Sequence, residues 1–378
     1  MDTKVFATRA EKRTKDNPHI PGVHIIGLDM GYSAPKCFYE GGNFVFPNFC
    51  QKINNEIFGK LSKSDLVYQD LATGDRYYVG EAAAKTLSND TIVSEDSLFG
   101  RNHYLHPNFL ITLRTALGLA LWNVDTDGHD VFVQTGLPPE YIKRDEQFLR
   151  AAIEQEHNFR LTSGDETKEF HLVITQNNVD VIYQPMGTLY SVVFDNNGNP
   201  TSAMNEYMSS NIMVFDGGFG TLDKFIIANK QIDTKTTNPN LGMKRVLEEA
   251  RELIRKDYNT DISIPAMQTC LRTGMIQVND LINFRTASYP VEAYIEKANE
   301  MVKAEAFDDI KDYVFKIKYL IMSGGTGAAW YDYFRDRLAG VKTLTVVPGN
   351  SNSTLPIIYS NARGYYMYRL MQMKMQRK

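Results

Sequence analysis

Two apolar runs, far apart in the chain, end in the same way. Val23-His24-Ile25-Ile26-Gly27-Leu28-Asp29 leads into Met30-Gly31-Tyr32-Ser33-Ala34-Pro35-Lys36. Asn211-Ile212-Met213-Val214-Phe215-Asp216 leads into Gly217-Gly218-Phe219-Gly220-Thr221-Leu222-Asp223. A continuous short apolar run closed by a turn reads as a strand buried on both faces. Each run is expected to return as a hairpin, through Phe44–Pro47 in the first case and Asp223–Ala228 in the second. Helical spacing follows each hairpin, at Phe109, Leu113, Ala116, Leu117 and Ala120, and again at Val246, Leu247, Ala250, Leu253 and Ile254. The same order of elements occurring twice implies an internally duplicated α/β chain, with mixed sheets flanked by helices. A length of 378 residues also exceeds what one hydrophobic core usually serves. A ligand is then expected where the strand ends of the two halves face each other.

The turns carry the chemistry. Each places a carboxylate, Asp29 or Asp216, at the end of a buried strand and follows it with small residues. Glycines let backbone N–H groups approach an anion closely, so these hairpin turns can cradle phosphates without a helix. The hydroxyls of Ser33 and Thr221 and the ammonium of Lys36 add donors. Two carboxylates facing one phosphate chain would repel it, so a cation is required between them, and Mg²⁺ suits oxygen ligands and retained water. A third apolar run, Tyr319–Met322, enters Ser323-Gly324-Gly325-Thr326-Gly327-Ala328-Ala329. That turn opens a helix and offers flat backbone suited to a purine or ribose. Taken alone each turn is also compatible with a plain structural role.

Composition narrows the alternatives. The formal net charge is -4, which argues against a dedicated nucleic-acid binder. The cysteines, Cys37, Cys50 and Cys270, are odd in number and far apart, so no disulfide framework or zinc site is expected and a reducing cytoplasm fits. No stretch is apolar and long enough to span a bilayer. His103 and His106 lack further metal-ligand neighbours in the sequence.

The three turns in this order resemble the superfamily of actin, the heat-shock chaperones and the sugar kinases, and within it the bacterial ParM-like plasmid-segregation actins. The resemblance runs over nearly the whole chain from Val23. It implies duplicated actin-like, ribonuclease-H-like domains with a nucleotide cleft between them. Residues 23–188 with 345–378 would form the first domain and 189–344 the second, after a flexible polar extension at 1–22. Asp29 and Asp216 would organise Mg²⁺. Gly31, Tyr32, Ser33, Lys36, Gly217, Gly218, Gly220 and Thr221 would surround the phosphates of ATP or GTP. Gly324, Gly325 and Thr326 would contact the nucleoside. Gln184 falls where the family places the polar residue that orients the attacking water. Relatives of the ParM type often have Glu there and actin has Gln. Tyr32 stands where the family usually has Ser.

The resemblance also implies self-association into a filament, a DNA-bound adaptor as partner, and no direct contact with DNA. A membrane-associated cell-division scaffold and a small-molecule kinase share the fold as alternatives. The basic amphipathic end, Arg363–Lys378, separates the scaffold reading from the others. Either it lies on a membrane surface, or it packs Met367, Leu370 and Met371 on the first domain.

Overall fold

The computed structural model describes residues 3–54, 61–62, 64–86, 100, 102–126, 129–280 and 284–377. The first half opens with a short 3-10 turn at Thr3–Phe6 and strands β1 (Glu11–Thr14), β2 (Val23–Met30), β3 (Pro35–Tyr39) and β4 (Gly42–Val45). Strands β5 (Cys50–Lys52), β6 (Leu66–Asp70) and β7 (Arg76–Val79) lead to helices α1 (Glu81–Ala84) and α2 (Pro107–Ala120). Then come β8 (Asp130–Leu137), α3 (Ile142–Ile153), β9 (Glu156–Ser163), β10 (Glu166–Val173), β11 (Val179–Tyr183) and α4 (Gln184–Val193). The second half begins with α5 (Met204–Ser209), β12 (Ile212–Gly217), β13 (Leu222–Ala228), β14 (Gln231–Asn238), α6 (Met243–Tyr258) and α7 (Ile264–Thr273). It continues through β15 (Met275–Asp280), β16 (Arg285–Pro290), α8 (Glu292–Asp308), β17 (Tyr319–Ser323), α9 (Gly325–Leu338), β18 (Thr345–Pro348) and α10 (Ser360–Gln376).

The duplication is visible in the sheets. One runs β1-β4-β3-β2-β8-β11 and another β14-β13-β12-β17-β18. In the first, β2 is antiparallel to β3 on one side and parallel to β8 on the other. In the second, β12 is antiparallel to β13 and parallel to β17. A five-stranded antiparallel sheet, β10-β9-β6-β7-β5, belongs to the first half, and the hairpin β15-β16 to the second.

Strand β2 is buried along almost its whole length, and β12 entirely so. Helices cover both faces, α10 and α2 in the case of β2. Burial on both faces is why these strands read as unbroken apolar runs rather than alternating ones. Gly27 is part of the same fit, since a Cβ there would lie 2.2 Å from the carbonyl oxygen of Ala362 in α10.

The C-terminal helix α10 lies in the core. It packs on β2, β3, β8 and α4. Met367 and Leu370 are buried, and Met371 packs beside them. Helices α4 and α10 meet at glycines, and a Cβ on Gly364 would fall 1.6 Å from the Gly187 oxygen. Buried Arg363 donates to the carbonyls of Ser191 (2.6 Å) and Phe194 (3.1 Å) at the C-terminal end of α4. A cation there satisfies carbonyls that the helix itself leaves unpaired.

Two expectations change. The hairpin partner of β2 is Pro35–Tyr39, and the residues around Phe44 form the next strand out. Pro35 reads as a turn residue, but it opens β3, a place where a missing N–H is tolerated. The N-terminal residues also differ from a flexible extension. Glu11–Thr14 pairs antiparallel with Gly42–Val45 as the edge of the first sheet. Gly42 makes the close pairing possible, because a Cβ on it would sit 2.0 Å from the Arg13 oxygen. Backbone pairing of this kind needs no apolar pattern, so polarity alone concealed it.

Candidate functional site

Strands β2 and β12 end at one cleft of about 870 Å³. Asp29, Gly31, Tyr32, Ser33 and Lys36 line it from the first hairpin, and Asp216, Gly218, Gly220 and Thr221 from the second. Gln184 at the start of α4 lines it too, as do Gly324, Gly325 and Thr326 where β17 enters α9. Gly217, the remaining expected residue, is not on the wall. It packs against α9, where a Cβ would be 2.7 Å from the Gly327 nitrogen.

The two hairpins place their carboxylates differently. In the first, Asp29 lies directly across the ladder from Lys36, whose Nζ is 3.5 Å from Asp29 Oδ2. In the second, Asp216 lies directly across from another acid, Asp223. Side chains directly opposite in an antiparallel pair share one face of the sheet. Burial, with the charge of Asp216 next, holds the Asp223 carboxyl well above the usual range. Burial likewise raises Asp29; Lys36 opposes the rise, and Asp216 adds to it from the other hairpin. Asp29 and Asp216 are therefore electrostatic neighbours across the cleft.

Asp216 is held from three sides. Gln184 Nε2 donates to its Oδ2 at 2.9 Å and Asn361 Nδ2 to the same oxygen at 2.7 Å. Ser323 Oγ donates to Oδ1 at 3.0 Å. Asn361 is fixed in turn by Thr188, whose Oγ1 donates to Asn361 Oδ1 at 2.7 Å. The third turn is tied to the second, since Thr326 Oγ1 donates to the Gly218 carbonyl at 2.7 Å. Gly324 adopts φ +79°, and a Cβ there would meet the Gly217 oxygen at 2.2 Å and Asp216 Oδ1 at 2.7 Å. Only glycine fits that corner.

The first two turns also touch. A Cβ on Gly220 would lie 2.7 Å from the Tyr32 ring, so the ring rests on the Gly220 backbone. Behind it the Tyr32 and His103 rings are 4.7 Å apart.

Residues 27–187 match the family model described as the N-terminal domain of actin-like proteins. A non-polymerisable quadruple mutant of pCBH ParM superimposes with a TM-score of 0.71 at 17% identity, over 92% of this chain and 98% of that one. The chain has the actin-superfamily fold. A 15-stranded ParM filament from Clostridium botulinum gives a TM-score of 0.66 at 17% identity, over 92% of this chain and 98% of that one. An archaeal actin homologue in complex with ADP gives 0.58 at 16% identity, over 92% and 99%. No curated protein matches.

Within this actin-like fold, other residues of the site have no role assigned by the sequence. Asn361 and Ser323 hold Asp216 from the end of the chain and from β17. Tyr104 and Asp332 line the cleft. So do Lys4 to Arg9, residues expected to lie free of the body. Asp223 reads in the sequence as the end of the second turn and the start of its return strand, and its position opposite Asp216 follows from the register of that hairpin.

The donor set can be tested against magnesium. Among the described residues no three His, Cys, Asp or Glu side chains gather closely enough to hold a metal by themselves. Two neighbouring buried carboxylates beside glycine turns instead fit a cation that brings its own waters and phosphate oxygens.

Proposed function

We propose that this chain is an actin-like nucleoside triphosphatase that binds ATP or GTP with Mg²⁺, polymerises in the bound state, and serves plasmid DNA segregation in the cytoplasm through a DNA-bound adaptor. One observation carries the reading: Asp29 and Asp216, each followed by a glycine turn, face each other across a single cleft. The ParM filament and the ADP-bound archaeal homologue share this fold and support both parts of the proposal. The proposed domains are 23–193 with 349–378, and 194–348, with the cleft between them; the boundaries expected at 188 and 345 move because α4 runs unbroken to Val193 and Thr345–Pro348 pairs with β17 in the second sheet.

In this reading the backbone of Gly31, Gly218 and Gly220, with Ser33, Lys36 and Thr221, binds the phosphates. Gly324, Gly325 and Thr326 contact the nucleoside. Bound Mg²⁺ would neutralise charge on the phosphate oxygens, with Asp29 and Asp216 holding it. Gln184 orients water through its side-chain amide. An amide accepts no proton in the usual sense, so Gln184 positions and does not act as base. Loss of the last phosphate removes contacts shared by both hairpins and lets the halves relax, which makes hydrolysis a timer for the filament.

The scaffold alternative needs the apolar face of α10 free for a membrane. Here that face packs on β2 and α4. Among the described residues no helix is long and apolar enough to cross a membrane.

The deciding experiment is sedimentation with ATP or GTP and Mg²⁺, with phosphate release followed in parallel. Pelleting that depends on nucleotide, with accompanying release of phosphate, is expected. Absence of both would overturn the proposal.

A further inference from the structure

The N-terminal segment crosses the cleft. One end is fastened to the second half: Thr3 is buried, its Oγ1 donates to the Leu271 carbonyl at 3.0 Å, and Phe6 and Ala7 pack on that half's core. The other end joins the first half, where Glu11 pairs with Val45 at the edge of the first sheet. Two contacts pin the crossing. Arg272 Nη2 in α7 donates to the Thr8 carbonyl at 2.7 Å and lies 3.4 Å from Glu81 of α1. Glu81 in turn accepts from the Ala10 N–H at 2.8 Å. Between its fastenings, Lys4 to Arg9 line the same cleft as Asp29 and Asp216.

We propose that residues Lys4–Arg9 are a further binding element of this cleft, forming a wall against the base and ribose of a bound nucleotide. The inference rests on the nucleotide reading above. The wall is placed by its neighbours. On α9 the cleft is lined by Gly325, Thr326, Ala328, Ala329 and Asp332, and the stretch at Gly325, Ala328 and Ala329 leaves room for a flat ring. The segment is anchored to that region, because its 3-10 turn packs on α7, α8 and α9. Beside that stretch, the apolar Val5, Phe6 and Ala7 add to a slot suited to a planar, largely apolar ring system. The carboxylates and the glycines of the first two turns mark the phosphate end.

A segment bound to both halves also has a consequence for exchange. Nucleotide enclosed by it leaves only when the segment lifts, so the contacts that pin it should set residence time.

Hydrogen exchange on the full chain tests this, with Mg²⁺ and either ADP, GDP, inorganic pyrophosphate or no ligand. Either nucleotide should slow exchange at the Val5–Arg9 amides, while pyrophosphate, which fills only the phosphate end, should leave them unchanged. Equal protection by pyrophosphate, or none by a nucleotide that calorimetry shows to bind, would overturn the wall. Arg272→Ala supplies a second measurement, since Arg272 pins the segment without lining the cleft. Loss of a charge-assisted hydrogen bond should speed dissociation of ribose-labelled fluorescent nucleotide by about tenfold. A rate equal to that of the unchanged chain would count against the segment. If neither nucleotide binds the unchanged chain by calorimetry, the nucleotide reading falls and this inference with it. Binding with an unprotected segment removes the inference alone.

Discussion

Gln184 Nε2 donates to Asp216 Oδ2 at 2.9 Å, so the side chain expected to orient water is held by the carboxylate expected to organise the metal. The pair links the start of α4 to the end of β12, one element from each half of the duplication. A Gln184→Ala variant keeps Asn361 and Ser323 on Asp216, so the carboxylate stays in place. Nucleotide binding and assembly should therefore survive, while phosphate release slows by about a hundredfold, the usual range for losing one positioned polar group. Phosphate release at the original rate would take Gln184 out of the mechanism.

Asn361 is nearly inaccessible and joins Thr188 to Asp216. Replacing it with Leu conserves volume and leaves both partners short of a hydrogen bond in a buried site. The expected cost is about 2 kcal/mol in a urea unfolding series, with weaker Mg²⁺-dependent nucleotide binding. A variant as stable as the parent would show that water replaces the amide.

The difference between Gln184 and Asn361 shows what the sequence could reveal. The strands ending at Asp29 and Asp216 were legible because burial on both faces leaves an unbroken apolar run, and glycine turns follow each. Gln184 follows only from the family resemblance, which places a polar residue at that position. Asn361 was not legible, because its partner is 145 residues away and only the docking of α10 brings them together. Packing of α10 through Met367, Leu370 and Met371 was legible, but not how deeply the start of that helix is buried. From Ser360 to Met367 every residue is buried, including Asn361 and Arg363. A helix buried on all sides shows no 3.6-residue stripe, and its polar residues look solvated. Strand β1 went unread for the opposite reason: it joins the sheet through backbone alone.

Gly324 offers a sharp test of the third turn. Alanine there would combine a positive φ with a Cβ 2.2 Å from the Gly217 oxygen. Strain and collision together should cost about 3 kcal/mol or more, and the displaced Asp216 should lose nucleotide. Gly340→Ala is the control, since no atom lies within 4 Å of its added Cβ. Equal melting temperatures for the two variants would contradict the packing described for the turn.

The last prediction concerns acid. His103 lies behind Tyr32, and burial pushes its imidazole down to about 4 from an ordinary 6.5. Burial does the same to His157, also to about 4. A base whose folded value lies below its unfolded value binds protons more readily when unfolded. Its contribution is complete above pH 6.5, falls as the pH drops toward about 4, and levels off below. Asp29 and Asp223 act in the opposite sense, because burial raises them and the folded state binds their protons more readily. Comparing a variant with its parent separates the terms. His103→Asn keeps a donor for the Gly100 carbonyl, which His103 Nδ1 approaches at 2.9 Å, and cannot titrate. Urea midpoints followed from pH 7 to 4 should show the parent losing up to about 3 kcal/mol more than the variant over that range. Parallel pH profiles would mean that His103 titrates alike in the folded and unfolded chain, and that burial behind Tyr32 does not hold its ring neutral.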